Sequence, residues 1–204
     1  MPIYKKYAAP HNTHLFVWHI TEDEATLHEG VQLTKLCVNK LEQMKSVVHR
    51  RGFLSVRQLL KVAGYTPNAL SYDSYGKPHL ADGKYISISH SHQFSAVAVG
   101  DSPLGVDIEW ERPKVHRIAS KFLHPSEMTE NATDRFRTSQ WCIKEAAYKA
   151  LGKKGISFHD DIRTSQMDTK NPLAAVAFEG KTVVLKNWLY FWQDYSCALA
   201  IKTP

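Results

Sequence analysis

Alternating apolar and polar positions indicate several β-strands along this chain. In KYISISHS (84–91) the apolar Ile86 and Ile88 alternate with serines, so one face of the segment is apolar and the other polar. Strand-like segments also occur in HLFVWHI (14–20), FSAVAVG (94–100) and LGVDIEW (104–110), and short β-like pieces in LSYDSYGKPHL (70–80). Turns are expected at Asp82-Gly83 and at DSP (101–103).

Apolar residues at helical spacing predict helices in the remainder of the first half. It runs through EDEATLHEGVQLTKLCVNKLEQ (22–43), where Leu27 and Val31 are four residues apart, and through SVVHRRGFLSVRQLLKVAGY (46–65). Gly64 is a suitable stop for the second of these helices. The first half therefore contains both helices and strands.

The second half has a similar order of elements. A helix is predicted around VHRIASKFL (115–123) and a longer one from Thr133 to Leu151, with Gly152 and Gly155 as stop signals. Strands follow in ISFHDDI (156–162), LAAVAFEG (173–180), TVVLKNWLYFW (182–192) and SCALAIK (196–202), and their tryptophans are interpreted as core residues. Helices followed by antiparallel-type strands in each half predict an α+β fold with two similar lobes, 1–103 and 104–204, and a cleft between them.

Composition narrows the class of protein. Of 204 residues, 43% are hydrophobic and 23% charged, which favours a folded core over disorder. No apolar stretch approaches the roughly 20 residues that span a bilayer, and the first residues lack a signal-peptide h-region. We therefore expect a cytoplasmic protein. Three widely spaced cysteines indicate neither a disulfide framework nor a zinc site.

Four charged side chains are candidates for chemistry. Asp107 and Glu109 are two apart in a strand, so both project from one face, about 7 Å apart, and could chelate a hard cation such as Mg²⁺. Glu145 and Lys149 are four apart in the predicted long helix and share a face. Taken singly, these pairs favour a solvent-facing strand edge and a surface ion pair.

Five motifs in order make the chain resemble the Sfp-type 4′-phosphopantetheinyl transferases. They are GKP (76–78), SISHS (87–91), GVDIE (105–109), KFLHPSE (121–127) and WCIKEAAYKALGKKG (141–155). The resemblance implies two α+β halves related by pseudo-two-fold symmetry. It also implies transfer of 4′-phosphopantetheine from coenzyme A to a serine of an apo acyl or peptidyl carrier protein, with release of 3′,5′-ADP.

The resemblance also implies roles for residues that match the motifs. Asp107, Glu109 and Glu145 match the ligands of Mg²⁺, for which Mn²⁺ is an alternative, and Lys149 matches a lysine near the pyrophosphate. The base that takes the serine proton is Glu145, Glu127 or a metal-bound water, and the residues alone do not choose among them. Expected coenzyme A contacts are Lys77, Ser89, His90, Lys144 and Lys149, together with a basic residue taken as Arg51 from the set Lys40, Arg50, Arg51 and Arg57.

The net charge of +6 and the pI near 9.1 suit an acidic, helical carrier protein and a polyphosphate co-substrate. The same charge and the HRR run at 49–51 are compatible with a nucleic-acid-binding module, but no recognised nucleic-acid motif is present. His90 and His92 form an HxH pair that is compatible with a zinc hydrolase, though no HExxH or cysteine companion accompanies it. We therefore predict a monomeric transferase that binds neither nucleic acid nor membrane.

Overall fold

The computed structural model describes residues 3–202 and divides into two compact units, one ending at Asp101 and the other beginning at Ser102. Each unit contains helices packed on an antiparallel sheet, so the predicted α+β class is confirmed. None of the helices in this range combines the length and the apolar character that crossing a bilayer requires. The pseudo-two-fold relation stays a prediction.

The first unit is built on a four-stranded sheet with strand order β1-β2-β6-β5, every pair antiparallel. Its strands are β1 (Lys5–Ala9), β2 (Thr13–His19), β5 (Tyr85–Ser91) and β6 (Phe94–Gly100), and a separate hairpin is formed by β3 (Leu70–Tyr72) and β4 (Pro78–Leu80). All seven residues of β6 are buried, because this strand lies inside the sheet and is covered on its faces.

Three helices accompany this sheet: α1 (Glu24–His28), α2 (Lys35–Gln43) and α3 (Val47–Val62). The long helix α3 begins where Ser46 accepts a hydrogen bond from the backbone N–H of His49. Its residues 52–60 are all buried, and Leu54, Leu59 and Leu60 join Trp18 of β2 in the core. Burial of these apolar side chains anchors α3 on the sheet.

The second unit is built on a five-stranded antiparallel sheet with strand order β7-β11-β10-β9-β8. Its strands are β7 (Leu104–Trp110), β8 (Ile162–Ser165), β9 (Leu173–Phe178), β10 (Lys181–Trp192) and β11 (Tyr195–Lys202). Trp192 is buried and Trp188 half-buried, in agreement with their interpretation as core residues, and Cys142 and Cys197 are fully buried as well.

Two helices complete the second unit, α4 (Lys114–Phe122) and α5 (Asp134–Leu151). Thr133 caps α5 by accepting a hydrogen bond from the Phe136 N–H, and Gly152 ends it in the left-handed conformation with φ of 62°. The predicted helix of Thr133–Leu151 is therefore confirmed with its stop signal. Small residues of α5, among them Ala146, Ala147 and Ala150, face the sheet in the core.

Three sequence expectations differ from the structure. The helical pattern of 22–43 is broken between α1 and α2, where Gly30 has a φ of +67° and Gln58 and Lys61 of α3 donate to carbonyls of the connecting segment. The predicted strand at 156–162 is mostly turn, and β8 begins only at its last residue. Strand β1 was not expected, because KKYAA has little apolar pattern and is ordered by pairing with β2.

Candidate active site

Helix α5 packs very closely on the sheet of the second unit at Gly105 of β7. A Cβ atom placed there would lie 2.7 Å from the backbone N of Ala150 and closer still to the carbonyl oxygen of Ala146. Only glycine allows α5 to approach the strand so closely. Because alternate strand residues share a face, Asp107 and Glu109 point to the same side as this contact.

Asp107 and Lys149 form an ion pair across the contact between β7 and α5. Lys149 Nζ lies 2.8 Å from Asp107 Oδ1 and 3.1 Å from the carbonyl oxygen of Val106. Asp107 is 4% exposed, whereas Glu109 is half-buried. Burial alone would lower the pKa of Lys149, but the charge of Asp107, the hydrogen bond to it and the charge of Glu145 together more than offset burial, and the pKa is raised. Lys149 is thus held as a cation beside the strand carboxylates.

Glu145 lies one helical turn before Lys149, on the same face of α5. Its pKa is raised to about 7, first by burial and then by the negative charge of Asp107, with a smaller contribution from Glu109. The charge of Lys149 opposes this shift only in part. Burial, together with repulsion from the two strand carboxylates, therefore brings the pKa of Glu145 close to neutral pH.

The ligand type of these three carboxylates is suited to a hard divalent cation. Oxygen ligands from Asp and Glu are those that Mg²⁺ prefers, and a bound cation would relieve the repulsion that raises the pKa of Glu145. Within residues 3–202, however, no three His, Cys, Asp or Glu side chains converge into a ready-made metal cluster. Asp107 Oδ1 instead accepts from Lys149.

Glu127 and Lys144 lie together in the interior of the second unit. Lys144 is 0% exposed, and its Nζ donates to Glu127 Oε2 at 2.6 Å and to three carbonyl oxygens, those of Phe122, Phe158 and Ile162. Both oxygens of Glu127 are engaged, because Oε1 accepts from the N–H and the hydroxyl of Thr164 and Oε2 also accepts from the His124 N–H.

Burial would raise the pKa of Glu127, but hydrogen bonds from Lys144 and Thr164 more than offset it and the pKa is lowered. Burial lowers the pKa of Lys144, and Glu127 opposes this only in part. The pair ties the segment after α4, including the Pro125–Glu127 turn of 3₁₀ helix, to α5 and to the start of β8. Thr164 and the carbonyl groups in this cluster were not anticipated, because nothing in the sequence pairs residues so far apart.

In the first unit, His90 of β5 lies against the N-terminal part of α3. A Cβ atom on Gly52 would be 3.1 Å from the His90 ring, and the rings of His49 and His90 are 6.3 Å apart. Ser89 is buried and His90 exposed, as expected for neighbours on a strand. His92, in the turn before β6, has a φ of 47°, and within the described residues neither histidine belongs to a group of three potential metal ligands.

The basic candidates of the first unit lie in different surroundings. Lys77 is half-buried after β3, and burial lowers its pKa. Arg51 donates from Nη2 to the carbonyl oxygen of Ile20, and its buried Nε has no hydrogen-bond partner within residues 3–202. The other three have structural contacts: Arg50 pairs with Glu24, Lys40 lies over the ring of Tyr72, and Arg57 stacks on Phe53.

The C-terminal unit, with its carboxylate-bearing strand packed on the WCIKEAAYKALGKKG helix, matches a known family. Residues 103–200 are matched by the model of the 4′-phosphopantetheinyl transferase superfamily. The predicted resemblance to this superfamily is thereby confirmed, over a region that contains three of the five motifs, GVDIE, KFLHPSE and WCIKEAAYKALGKKG.

Three relatives have similar names. The chain is 33% identical over 104 residues to a 4′-phosphopantetheinyl transferase of Bacillus subtilis, an alignment that covers 46% of each chain. It is 32% identical over 111 residues to the 4′-phosphopantetheinyl transferase gsp of Aneurinibacillus migulanus, covering 50% of this chain and 47% of the relative. It is 33% identical over 92 residues to the 4′-phosphopantetheinyl transferase Sfp of Bacillus subtilis (strain 168), covering 41% of each. The chain thus aligns with slightly less than half the length of each relative.

Proposed function

We propose that this protein transfers 4′-phosphopantetheine from coenzyme A to a serine of an apo carrier protein, dependent on Mg²⁺. The observation that carries the proposal is the close contact of β7 and α5 at Gly105, which sets Asp107 and Glu109 beside the helix face of Glu145 and Lys149. That contact lies in the region matched by the superfamily model. The names of the relatives support the same activity.

Asp107, Glu109 and Glu145 would hold the cation. When bound, Mg²⁺ neutralises charge on the phosphate oxygens of coenzyme A and stabilises the charge that develops during transfer. The raised pKa of Glu145 supports this assignment, because carboxylates crowded without a full complement of positive charge are suited to a divalent ion.

Lys149 would contribute a second positive charge at the pyrophosphate. Its Nζ is 2.8 Å from Asp107 Oδ1, so it is oriented by the same carboxylate that is proposed to ligate the metal. In phosphoryl transfer the protein mainly positions groups and neutralises charge. A fixed ammonium group can both position the pyrophosphate and neutralise its charge. Replacing Lys149 should therefore raise the concentration of coenzyme A that the reaction requires, or slow turnover.

In the reaction the serine hydroxyl oxygen forms a bond to the β-phosphorus of coenzyme A, and the bond to 3′,5′-ADP breaks. The serine proton must pass to a base within hydrogen-bond reach. Glu145 is better suited than Glu127, because its pKa is about 7, whereas Glu127 has a lowered pKa and both oxygens committed to internal donors. We assign Glu127 and Lys144 a structural role and leave metal-bound water as the alternative base.

Coenzyme A would contact residues of the first unit. His90, Ser89, Lys77 and Arg51 match family positions for this role, with His90 proposed at the 3′-phosphate. The N-terminal part of α3 supports this proposal, because the His90 ring packs directly against Gly52 and Arg51 precedes Gly52 on the helix. Net charge of +6 would assist docking of an acidic, helical carrier protein.

The test is intact-protein mass spectrometry of an apo acyl carrier protein incubated with this protein, coenzyme A and Mg²⁺. We expect a gain of one phosphopantetheine mass that is lost when the metal is chelated. A serine-to-alanine carrier protein is the matched control and should gain nothing. No mass gain across carrier proteins from fatty-acid, polyketide and peptide assembly systems would refute the proposed activity.

A further inference from the structure

A cavity of about 340 Å³ lies in the first unit, between the C-terminal half of α3 and the segments on either side of it. Its volume falls at the lower end of the range of small-molecule sites. Apolar groups form most of the wall, and two cations, Arg57 and Lys61, lie one helical turn apart on α3. The lining comprises residues 30–32, Arg57, Leu60, Lys61 and residues 65–67.

Arg57 is buried, 7% exposed, yet its charge is not neutralised by any acidic side chain within residues 3–202. The guanidinium group has five donors, of which two are used in long contacts: Nη1 to the carbonyl oxygen of Phe53 at 3.3 Å and Nη2 to Cys37 Sγ at 3.7 Å. Its Nε is buried and has no hydrogen-bond partner in the same range, and the guanidinium group stacks on the ring of Phe53 at 3.4 Å, a contact that supplies no counter-charge. A buried cation without a counter-ion raises the free energy of the folded protein, and a bound anion would lower it.

The walls of the cavity are already held in place by the protein. Gln58 donates to the carbonyl oxygens of Leu27 and Glu29, and Lys61 donates to that of Gly30 at 2.8 Å. On the opposite side, the hydroxyl of Tyr65 is 2.9 Å from Asp82 Oδ2. A ligand would therefore enter a formed cavity without having to order its walls, which favours affinity.

Cys37 responds to the charge of Arg57. Burial alone would raise the pKa of this thiol, but the hydrogen bond with Thr34 and the positive charge of Arg57 more than offset it, and the pKa is lowered. The thiol thus offers an independent probe of the guanidinium group. A ligand anion that neutralises Arg57 should reduce the thiolate fraction of Cys37.

We propose that this cavity binds a small monocarboxylate with an apolar tail, its carboxylate at Arg57 and Lys61 and its apolar part against Val31 and Leu60. Charge complementarity selects the anion, because the two cations are close together and Arg57 has no acidic partner in the described chain. The apolar walls select the tail, since a bare inorganic anion would leave them in contact with water. This site goes beyond the proposed transferase activity and does not depend on it.

Octanoate is the probe, and its neutral isostere octanamide is the matched ligand control. We would titrate each into protein with ¹³C-labelled Val and Leu methyl groups and follow the spectra by NMR. Octanoate should bind saturably at one site, shift the methyl signals of Val31 and Leu60, and bind about tenfold or more tightly than octanamide, as a charge-assisted hydrogen bond requires.

Arg57→Gln should lower the affinity for octanoate at least tenfold, and Lys61→Gln should lower it by a smaller factor. Lys181→Gln removes one exposed charge in the other unit and should leave the affinity unchanged. If Arg57→Gln fails to fold, the affinity of Lys61→Gln for octanoate and the methyl shifts of the unmodified protein still test the proposal. Equal affinity for octanamide, equal affinity for inorganic phosphate, or shifts confined to methyl groups outside the cavity would each overturn the proposal.

Alkylation provides a second measurement on the unmodified protein. Octanoate should slow the reaction of Cys37 with iodoacetamide, and octanamide should do so less. Cys142 and Cys197 are fully buried, and burial raises the pKa of both thiols, so they serve as unreactive internal controls in the same spectra. An alkylation rate at Cys37 that is unchanged at saturating octanoate would contradict the carboxylate position at Arg57.

Discussion

Replacing Gly105 with alanine tests the contact on which the candidate active site depends. The new Cβ would lie 2.7 Å from the backbone N of Ala150, 2.9 Å from the carbonyl carbon of Ala146 and closer still to its oxygen, whereas real Cβ atoms keep at least 3.0 Å. These are backbone atoms of α5 and cannot rotate away. The helix must therefore move from β7 by several tenths of an ångström or more.

The expected cost is about 3 kcal/mol, the upper end for overpacking in a well-packed core, because no side chain can relieve the overlap. For a protein of this size that corresponds to a fall in Tm of roughly 6–12 °C. The same displacement moves Glu145 and Lys149 away from Asp107, so transfer to an apo carrier protein should fall more steeply than stability. Urea unfolding followed by circular dichroism and mass spectrometry of the carrier protein measure the two effects.

Gly52→Ala is the matched control for this substitution. Like Gly105, Gly52 has an ordinary negative-φ backbone, but its new Cβ would meet only the His90 side chain, at 3.1 Å, which can shift. We expect a change in unfolding free energy within about 1 kcal/mol, since alanine also favours the helix. A Gly105→Ala variant as stable as Gly52→Ala, with wild-type transfer, would refute the close packing of α5 on β7.

Four further predictions concern the second unit. Lys144→Met should lower the unfolding free energy by about 3–5 kcal/mol, because it leaves Glu127 buried without its cation; a loss below about 1 kcal/mol in urea titration would contradict the buried pair. The pKa of Glu145 is raised from 4.5 to about 7, so its stabilising contribution is present below pH 4.5 and is lost as pH rises towards 7; without divalent metal, Glu145→Gln should melt above wild type at pH 8 but not at pH 4, and an equal difference at both pH values would argue against the shift. Asp107→Ala should abolish transfer and also lower the unfolding free energy, because Asp107 is 4% exposed and pairs with Lys149; near-wild-type turnover would exclude it as a metal ligand. Lys149→Ala should raise the coenzyme A requirement or slow turnover, and unchanged rates at all coenzyme A concentrations would contradict its place at the pyrophosphate.

Local signals in the sequence were sufficient for the elements that carry the candidate site. The long helix α5 was predicted almost to the residue, because Thr133 caps its start and Gly152 adopts the left-handed conformation at its end. Strand β7 was predicted from its apolar residues and from the turn before it. Both signals act within a few residues along the chain, so no knowledge of the tertiary contacts was needed.

Elements that depend on distant partners were predicted less well. The helical pattern of 22–43 continues past Gly30, but the chain leaves the helix there and the following segment is held by Gln58 and Lys61 of α3. Strand β1 exists because β2 supplies its hydrogen-bond partners, not because KKYAA has a strand pattern of its own. In both places a long-range contact outweighs a weak local preference.

The sequence by itself determined the kinds of residues available for chemistry and their order: two carboxylates on a strand, a carboxylate and a lysine on one helix face, and the motifs of the superfamily. Only the tertiary structure decided their surroundings. It separated Glu145, which burial and neighbouring carboxylates keep near neutral pKa, from Glu127, which Lys144 and Thr164 hold ionised in the interior. Similar acidic residues acquire different roles because a pKa is set by burial and by the charges and donors brought close in the fold, and these come from distant parts of the chain.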